Sequence, residues 1–514
     1  MYFWQIKEYR TDRFLEYAKR NKSVVFQKSS LIALILFLTL FLAQADFLKI
    51  YLTSYFYFVF GFFAIYSFLK KKVRFPEFTK KMIVLFSFSF FALIALAFFA
   101  LNTDISYLLV YEILFSIVIF FCVRIMEIPV FFAKKHIYKK AKNKREKFKD
   151  LIVIGITGSY GKTSTKEFLY AALSQKYNVL KTEGNNNTEI GVANTILKKL
   201  KKEHQIFICE MAAYKIGEIK TICDMTKPSI GILTGINQQH IALFGTQENI
   251  VKAKFELIES LPENGIAIFN QDNEYIKKEC FASFASFAKK YNFSSVAQKF
   301  FSVKEKASVW AEDIEIQKHK ILFKVFSEKE KQGESFEMNL LGAQNIPNVL
   351  ATISCAEEFG ITLKQCAEIF RKSAPEQRTM NLIKNDKGVN IISAVYSANP
   401  HSVIAHLHYL KIWDTKKVLI MPCLVELGKE SKKIHQEIGK KIGQVCDLAI
   451  ILKKQCYQDI KKSAIRSGMK EKNILFAQNN KQILEKINNF CVSGDVILLE
   501  SRVGDELIKL LSKK

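Results

Sequence analysis

The first 125 residues contain four long apolar runs separated by short polar connections. A transmembrane helix needs about 20 mostly apolar residues, and each run approaches that length. The pattern predicts an α-helical membrane domain over residues 1–133 with four transmembrane helices, at residues 29–48, 51–69, 82–101 and 105–123. The alternative is that some of these runs are buried helices of a soluble protein.

Basic residues flank only one side of this predicted bundle. The connections after the first and third runs contain a single basic residue, Lys49. By the positive-inside rule, both termini and everything after residue 133 face the cytoplasm, which predicts a multi-pass protein of the bacterial inner membrane. The flanking basic residues before the first run and before the third are Lys7, Arg10, Arg13, Lys19, Arg20, Lys22, Lys70, Lys71, Lys72, Arg74, Lys80 and Lys81.

Two charged features of this region have alternative interpretations. Glu112 lies inside the fourth run, where an ionisable group is a functional candidate, although it could equally form an interhelical hydrogen bond. Residues 134–150 form a basic juxtamembrane linker, whose lysines between positions 134 and 149 favour contact with anionic lipid headgroups. The alternative for this segment is a solvated linker.

From residue 151 the pattern changes to short apolar strands that alternate with amphipathic helices, which is typical of an α/β domain. Residues 151–156 predict a buried strand, Thr157-Gly-Ser-Tyr-Gly-Lys-Thr163 follows, and residues 164–174 predict a helix. Strand, glycine turn and helix form the geometry that surrounds phosphates with backbone N–H groups. Lys162 would contact the β- and γ-phosphates and Thr163 would hold Mg²⁺. Ile156 stands where the full Walker A pattern has Gly, so the motif is the shorter GxxGK[ST] form, and a chance turn is the alternative.

Two further strands place polar residues at the same edge. Residues 205–209 end at Glu210, and residues 229–234 lead to Asn237-Gln-Gln-His240. Ligands bind at the carboxyl ends of the strands in open α/β sheets, where an acidic residue suits Mg²⁺. This position favours a functional histidine over a structural one.

The next predicted helix, residues 246–260, has a lysine on its apolar face. Ile250, Leu257 and Ile258 mark the inward face, Lys254 shares it, and Lys252 points outward. Burying a bare ammonium group is costly, so Lys254 needs a partner or altered chemistry. The alternative is a side chain that extends to solvent.

Charge and cysteine content exclude some classes of function. The formal net charge is +27, but no basic stripe interleaved with aromatic residues and no recognition-helix or zinc-finger spacing is present. We therefore expect no nucleic-acid partner, since the membrane domain accounts for much of the charge. The ten cysteines form no CxxC pair and no cluster with His at ligand spacing, which predicts reduced thiols in a cytosolic compartment.

Several ordered motifs resemble the Mur ligases, most of all their MurF branch, which adds D-alanyl-D-alanine to a UDP-muramoyl tripeptide. The resemblance runs from about residue 150 to the end of the chain. It implies a P-loop central ATP-binding domain at residues 151–381 and a smaller Rossmann-like α/β C-terminal domain at residues 382–514. The motifs are Gly158-Ser-Tyr-Gly-Lys-Thr163, Thr182-Glu-Gly-Asn-Asn-Asn-Thr-Glu-Ile-Gly191, Glu210-Met-Ala-Ala213, Gly217-Glu-Ile219, His240-Ile-Ala-Leu-Phe-Gly245 and Lys252-Ala-Lys254.

The resemblance also implies roles for individual residues. ATP and two Mg²⁺ ions would be the cofactors, with one ion held by Thr163 and Glu210 and the second served by His240 and a carbamylated Lys254. Asn270 and Asn345 match positions that contact the adenine side, and Arg378 matches an arginine that approaches the phosphates. The residues implied to bind nucleotide are Gly158, Ser159, Tyr160, Gly161, Lys162, Thr163, Ser164, Asn270, Asn345 and Arg378, and those implied to be catalytic are Lys162, Glu210, His240, Lys254 and Arg378.

The implied reaction is the ATP-dependent formation of an amide bond through an acyl phosphate, in peptidoglycan precursor or related cell-envelope synthesis. The donor would be a nucleotide- or lipid-linked muramoyl peptide carboxylate, and the acceptor an amino acid or dipeptide. Glu426-Leu-Gly428, His435 and Ser501-Arg502 lie where the C-terminal domain of the family has its markers.

The chain departs from the branch at several positions. Ser393 and Ala394 stand where two aspartates are usual, and Gln344 stands in place of His. Two further differences lie where the family binds its amino-acid substrates: Tyr214 and Lys215 replace an Asn-His pair, and Leu499 and Glu500 replace a Lys-Gly pair. At the N-terminus, the four predicted membrane helices replace the soluble domain that binds the UDP-sugar in the family.

These departures leave two alternatives to a peptidoglycan ligase. One is a non-catalytic, membrane-tethered nucleotide-binding scaffold, and the other is a ligase of the same fold that makes a poly-amino acid or capsule polymer. An ATP-driven exporter is disfavoured, because the chain has no LSGGQ-like signature and Met211 follows Glu210.

Overall fold

The computed structural model describes residue 14 and residues 28–42, 45–69, 77–184, 186–281, 296–372, 380–396 and 399–513. The chain divides into two compact units, Met1–His136 and Ile137–Lys514.

The N-terminal unit is helical. Two helices in the described residues are long and apolar enough to cross a membrane, over Asp46–Tyr66 and Lys81–Asn102, and a shorter apolar helix covers Ser30–Leu42. The expectation of four spans is therefore supported for two of them. The helices are α1 (Lys28–Leu42), α2 (Asp46–Leu69), α3 (Lys80–Asn102) and α4, which begins at Tyr107 and ends at Arg145.

The first expected span differs because the apolar run at residues 29–48 is divided between two helices. Helix α1 ends at Leu42, and α2 begins at Asp46, whose carboxylate suits the positive end of a helix dipole. Helix α4 contains the fourth expected run, but the side chain of Glu112 lies outside the described residues. So do the basic residues before the first run and those at positions 70–74.

Two polar contacts connect α2 with the segment between α3 and α4 and with α4 itself. Lys49, near the start of α2, lies 2.6 Å from the carboxylate of Asp104, in the connection between α3 and α4. The Tyr57 hydroxyl donates a hydrogen bond of 2.7 Å to the carbonyl of Leu108. The first turn of α2 therefore lies next to the segment between α3 and α4.

The outside of the N-terminal unit is unusually apolar. Leu42, Phe47 and Phe58 are 82%, 80% and 74% exposed, and many neighbouring large apolar side chains are exposed as well. Exposed apolar patches on a protein mark interaction sites, with a membrane or with another protein.

The C-terminal unit begins within helix α4. Ala141 is fully buried in its core, and the partly buried Ile137 and Tyr138 pack beside it. Lys144 and Arg145 donate hydrogen bonds of 2.9 and 2.7 Å to the carbonyls of Leu197 and Thr226. The expected linker at residues 134–150 is thus helical as far as Arg145.

A nine-stranded sheet forms the centre of this unit, in the order β2-β3-β1-β4-β5-β6-β7-β8-β9. Its strands pair in parallel from β2 to β7 and antiparallel from β7 to β9. The strands are β1 (Ile152–Thr157), β2 (Val179–Lys181), β3 (Ile206–Glu210), β4 (Ile230–Leu233), β5 (Ile266–Asn270), β6 (Ala297–Ser302), β7 (Val309–Ile316), β8 (Ile321–Ser327) and β9 (Glu330–Met338).

Helices cover both faces of this sheet, which explains why β3 and β4 are buried along their whole length. Strand β1 lies between β3 and β4, so the carboxyl ends of all three meet at one edge. The helices are α5 (Lys162–Leu173), α6 (Glu189–Lys199), α7 (Glu218–Thr226), α8 (Ile241–Phe244), α9 (Gln247–Glu259), α10 (Glu274–Phe281), α11 (Ile346–Ala356) and α12 (Leu363–Lys372).

A second, six-stranded sheet follows in the order β10-β11-β15-β12-β13-β14. All its pairings are parallel except that of β10 with β11. The expected smaller α/β domain is therefore confirmed. Its elements are β10 (Asn381–Lys384), β11 (Asn390–Ala394), α13 (Pro400–Leu410), β12 (Lys417–Met421), α14 (Ser431–Val445), β13 (Leu448–Ile451), α15 (Lys454–Arg466), β14 (Ile474–Phe476), α16 (Asn480–Phe490), β15 (Val496–Glu500) and α17 (Asp505–Leu511).

The prediction that all ten cysteines are reduced is wrong for two of them. Cys423 and Cys456 form a disulfide, whereas the other eight are free thiols. The two residues are 33 positions apart, and they meet because the loop after β12 packs against the first turn of α15. No local spacing rule could indicate this contact.

Candidate active site

The glycine-rich loop after β1 is shaped by its contacts with the end of β4. Gly158 and Gly161 have φ angles of 149° and 80°. A Cβ atom at Gly158 would lie 2.2 Å from the Thr234 hydroxyl, and one at Gly161 would lie 2.3 Å from Asn348 Oδ1. Ser159 N–H donates to the Gly235 carbonyl at 2.7 Å. Only glycine fits these two positions, and helix α5 begins directly after the loop.

Lys162, the first residue of α5, lies in the wall of a cavity of about 290 Å³. Its ammonium group donates to the Gly158 carbonyl at 2.7 Å, so the side chain folds back over the loop. Burial lowers the pKa of Lys162 from its ordinary value, while the charge of Glu210 opposes this. An anion bound in the loop would compensate this buried positive charge.

Glu210, at the end of β3, is the centre of a polar cluster beneath the loop. Its Oε1 accepts hydrogen bonds from Thr163 Oγ1 at 3.0 Å and from Asn187 Nδ2 at 2.9 Å. Its Oε2 accepts a bond of 3.0 Å from Lys166 Nζ, and the Lys166 side chain is fully buried. The carboxylate is therefore held by three partners.

The Thr163 and Glu210 oxygens fit one Mg²⁺ ion. Adjacent ligands of an octahedral Mg²⁺ with bonds of 2.0–2.1 Å are about 2.9 Å apart. The 3.0 Å separation of these two oxygens meets that requirement.

Sequence reasoning missed Lys166, although the signal was available. Lys166 lies three residues before Leu169 and seven before Leu173, and both leucines are fully buried. The helical periodicity that identified Lys254 therefore marks Lys166 as inward-facing too.

His240 joins the central sheet domain to the C-terminal sheet domain. It adopts a left-handed backbone conformation with φ 63°, and its Nδ1 lies 2.6 Å from Oε2 of Glu426, in the loop after β12. The Tyr214 ring packs edge-on against His240 at 5.0 Å. Burial lowers the pKa of His240, which the hydrogen bond to Glu426 opposes. The long-range partner Glu426 was visible in the sequence only as a family marker.

Lys254 lies in the cavity wall. Its side chain points inward, as the helical periodicity of residues 246–260 predicted. It is 4% exposed, whereas Lys252 is exposed to solvent. Burial and, to a smaller extent, the charge of Lys162 lower the pKa of Lys254 to about 7, against the opposing charges of Glu218 and Glu256. A substantial fraction of Lys254 is therefore an uncharged amine at neutral pH.

The other nucleotide-site candidates divide into three groups. Asn345 lines the cavity, together with the loop residues 158–164. Asn270 does not line it, because its amide donates to the Thr234 carbonyl at 2.8 Å and lies behind the loop. Arg378 lies outside the described residues.

Residues of the C-terminal sheet domain complete the cavity. The His401 ring stacks on Tyr160 with a centroid distance of 4.4 Å and an angle of 12°. Asn237 donates to the side-chain oxygen of Asn399 at 3.4 Å. Sequence reasoning missed His401 and Asn399, because neither belongs to a motif that identifies its partner. His406 and Arg502 also line the cavity.

Comparisons with known proteins agree with this geometry. Residues 156–356 match the Mur ligase middle domain, and residues 378–502 match the Mur ligase glutamate ligase domain. Together the two matches cover more than half of the chain.

Individual relatives give the same picture. The UDP-N-acetylmuramoyl-tripeptide–D-alanyl-D-alanine ligase of Bacillus subtilis is 26% identical over 361 residues, 70% of this chain and 75% of the relative. The Synechocystis ligase of the same name is 31% identical over 294 residues, 56% of this chain and 59% of the relative. The chain thus spans less than two thirds of the second relative's length.

A solved structure is also similar. MurF ligase from Thermotoga maritima in complex with ADP is 25% identical, with a TM-score of 0.61 over 74% of this chain and 82% of that one. The chain therefore belongs to the Mur ligase family and, by its middle and C-terminal domains, is a MurF-like ATP-dependent ligase.

Proposed function

We propose that this protein is a membrane-anchored ligase that joins a muramoyl-peptide carboxylate to D-alanyl-D-alanine in peptidoglycan precursor synthesis. The observation that carries the proposal is one cavity lined by the phosphate loop, Glu210, His240 and Lys254. The substrates are those in the names of the relatives from Bacillus subtilis and Synechocystis. The bound ADP of the Thermotoga structure supports ATP as the phosphate source.

The proposed reaction has two steps. A donor carboxylate oxygen attacks the γ-phosphorus of ATP, and ADP leaves with the electrons of the broken P–O bond. The amine of the acceptor then attacks the acyl-phosphate carbon, an amide bond forms, and inorganic phosphate leaves. Catalysis of this kind depends on positioning and charge neutralisation rather than on a protein nucleophile.

The phosphate loop would hold the nucleotide. Backbone N–H groups of residues 160–164, at the N-terminus of α5, would face the phosphates, and Lys162 would neutralise the transferred group. Asn345 and Asn270 would serve the adenine side, Asn270 through Thr234, which follows β4 and whose carbonyl it contacts. Arg378 would approach the phosphates.

Two Mg²⁺ ions would supply charge neutralisation at the transferred phosphate. Thr163 and Glu210 would hold one ion. His240, oriented by Glu426, and Lys254 would serve the other. The low pKa of Lys254 supports carbamylation, since only an uncharged amine adds to CO₂, and the product is an anionic oxygen ligand.

The N-terminal unit would anchor the ligase in the bacterial inner membrane through four spans, with both termini in the cytoplasm. The domains would be residues 1–133, the linker 134–150, the central domain 151–381 and the C-terminal domain 382–514. The exposed apolar surface and the contact between Lys49 and Asp104 support this arrangement.

The exposed face of the linker helix suits anionic lipid headgroups. Its apolar face is taken up by the C-terminal unit, whereas Lys139 and Lys140 point to solvent. Basic residues directly after a membrane span are attracted to anionic lipids, by roughly 1 kcal/mol each near the surface. The donor would then be presented beside the bilayer, either lipid-linked or nucleotide-linked.

The test is turnover by the purified full chain in detergent micelles. The assay contains ATP, Mg²⁺, UDP-N-acetylmuramoyl-tripeptide and D-alanyl-D-alanine. We expect phosphate release only when both substrates are present, and we expect an amide product that mass spectrometry identifies. Lys162→Ala should abolish it, whereas the exposed-site control Lys252→Ala should not.

Two other functions make different predictions in this assay. A scaffold, motivated by Ser393 and Ala394 in place of the aspartates, would bind ATP without substrate-dependent phosphate release. A poly-amino-acid or capsule ligase would release phosphate with other carboxylates and amines but not with these substrates.

A further inference from the structure

His406 lines the C-terminal wall of the cavity and forms a buried pair with Glu500, which does not line it. His406, in α13, and Glu500, at the end of β15, are 1% and 0% exposed, and His406 Nδ1 lies 2.7 Å from Glu500 Oε2. The other carboxylate oxygen accepts hydrogen bonds from the backbone N–H and the hydroxyl of Ser501, at 2.9 and 3.1 Å. Glu500 is thus fixed from both sides.

This arrangement selects one tautomer of the histidine. An ionised carboxylate can only accept hydrogen bonds, so Nδ1 of His406 carries the proton. In the neutral form of this ring the Nε2 atom has a free lone pair, and Nε2 makes no hydrogen bond to any residue that the structure describes. A basic nitrogen held by a buried carboxylate is the arrangement used for general bases.

The other two histidines that line the cavity are engaged differently. His401 stacks its ring on Tyr160, and His240 lies beside Lys254 and pairs with Glu426. The pair is therefore separate from Glu210, His240 and Lys254, on which the ligase assignment rests.

We propose that His406 is the general base for the acceptor amine, with Glu500 as its positioning residue. As the amine nitrogen attacks the acyl-phosphate carbon, the C–N bond forms and the proton on nitrogen moves to Nε2 of His406. The C–O bond to phosphate breaks, and phosphate leaves with that electron pair. The inference rests on the proposed ligase function and deepens its second step.

Hydroxylamine separates the second step from the first. It is a small, weakly basic nucleophile that traps acyl phosphates as hydroxamates without needing a base. The assay uses the full chain in detergent micelles with ATP, Mg²⁺ and UDP-N-acetylmuramoyl-tripeptide, and compares D-alanyl-D-alanine with hydroxylamine as acceptor. The test variant is His406→Asn, because the asparagine amide can still donate to Glu500 and avoids leaving that carboxylate unpaired.

His406→Asn should lower amide formation by about 100-fold or more, the usual contribution of a general base, and leave hydroxamate formation within about threefold of wild type. Glu500→Gln should lower kcat for amide formation without changing the KM for D-alanyl-D-alanine, again with hydroxamate retained. The control is His408→Ala, since His408 is exposed on the same helix and should leave both products unchanged.

Equal loss of both products in His406→Asn would make the pair a structural element and overturn the proposal. Full retention of amide formation would overturn it as well. If the wild-type chain forms neither product, the proposed function itself fails, which is a distinct result.

Discussion

Lys166 and Glu210 form a buried ion pair in which Nζ and Oε2 are 3.0 Å apart and both side chains are out of contact with solvent. The pair lies directly beneath the phosphate loop, and its carboxylate also accepts the hydrogen bond from Thr163. Lys166 therefore positions the residue that we propose as a magnesium ligand.

Replacing Lys166 should destabilise the fold. Lys166→Ala leaves Glu210 as an uncompensated buried charge, which costs about 3–5 kcal/mol. The melting temperature in detergent micelles, measured without nucleotide, should fall well below that of wild type. Lys252→Ala, at an exposed position in α9, is the control. Equal melting temperatures for the two variants would show that the ion pair contributes nothing.

If Lys254 is carbamylated, the rate of amide formation should depend on CO₂. Since burial holds the pKa of Lys254 at about 7, the amine is mostly uncharged at pH 8 and mostly protonated at pH 6. Removing CO₂ should lower amide formation, and bicarbonate should restore it more completely at pH 8 than at pH 6. The Lys254→Ala variant should lose several kcal/mol of transition-state stabilisation, which lowers the rate of amide formation by about 100-fold or more. Bicarbonate should not change the activity of this variant.

Lys252→Ala is the matched control for this experiment, because the residue lies on the opposite face of the same helix. It should respond to bicarbonate as the wild-type chain does. Activity that is unaffected by CO₂ removal in wild type would argue against the carbamate.

Replacing Glu426 should lower the ligase activity, because Glu426 orients His240. Glu426→Ala removes the 2.6 Å contact that orients the imidazole, and groups that orient metal ligands contribute about 10–100-fold to metal affinity or activity. We expect the activity to fall by that amount and higher Mg²⁺ to recover part of it. The exposed Glu437→Ala should behave as wild type. A Glu426→Ala variant with wild-type activity at all Mg²⁺ concentrations would contradict the assignment of His240.

The motifs and the helix and strand periodicity of the sequence were sufficient to predict much of the candidate active site. It located the phosphate loop, the acidic end of β3 and the inward face of Lys254, because each depends on residues close together in the chain. It did not identify the partner of His240, the pair of His406 with Glu500, or the disulfide of Cys423. Those contacts join residues 186, 94 and 33 positions apart. The first depends on how the two sheet domains pack together, and the other two depend on the fold of the second sheet domain.

The membrane region shows a different limit. Hydropathy alone merges residues 29–48 into one run, but the structure ends α1 at Leu42 and starts α2 at Asp46. Apolar content gives the total length of the run but does not show that it is shared between two helices.

The exposed lysines of α4 should bind anionic lipid. In vesicles that contain phosphatidylglycerol, the wild-type chain should protect Lys139 and Lys140 from an amine-reactive, membrane-impermeant reagent added on their side, and high salt should remove the protection. Vesicles of phosphatidylcholine alone should give no protection. The exposed Lys432 and Lys433 of α14 are the control positions. Equal labelling in both kinds of vesicle would exclude headgroup binding, even if the chain remains inserted in the bilayer.

The central claim is that ATP activates a substrate carboxylate in this cavity. The most direct measurement uses UDP-N-acetylmuramoyl-tripeptide whose reacting carboxylate carries ¹⁸O at both oxygens, with ATP, Mg²⁺ and D-alanyl-D-alanine. An acyl phosphate transfers one carboxylate oxygen to phosphorus, so we predict one ¹⁸O in the inorganic phosphate for each amide bond formed. Release of unlabelled phosphate would show that ATP is hydrolysed without activating the carboxylate, and would contradict the account.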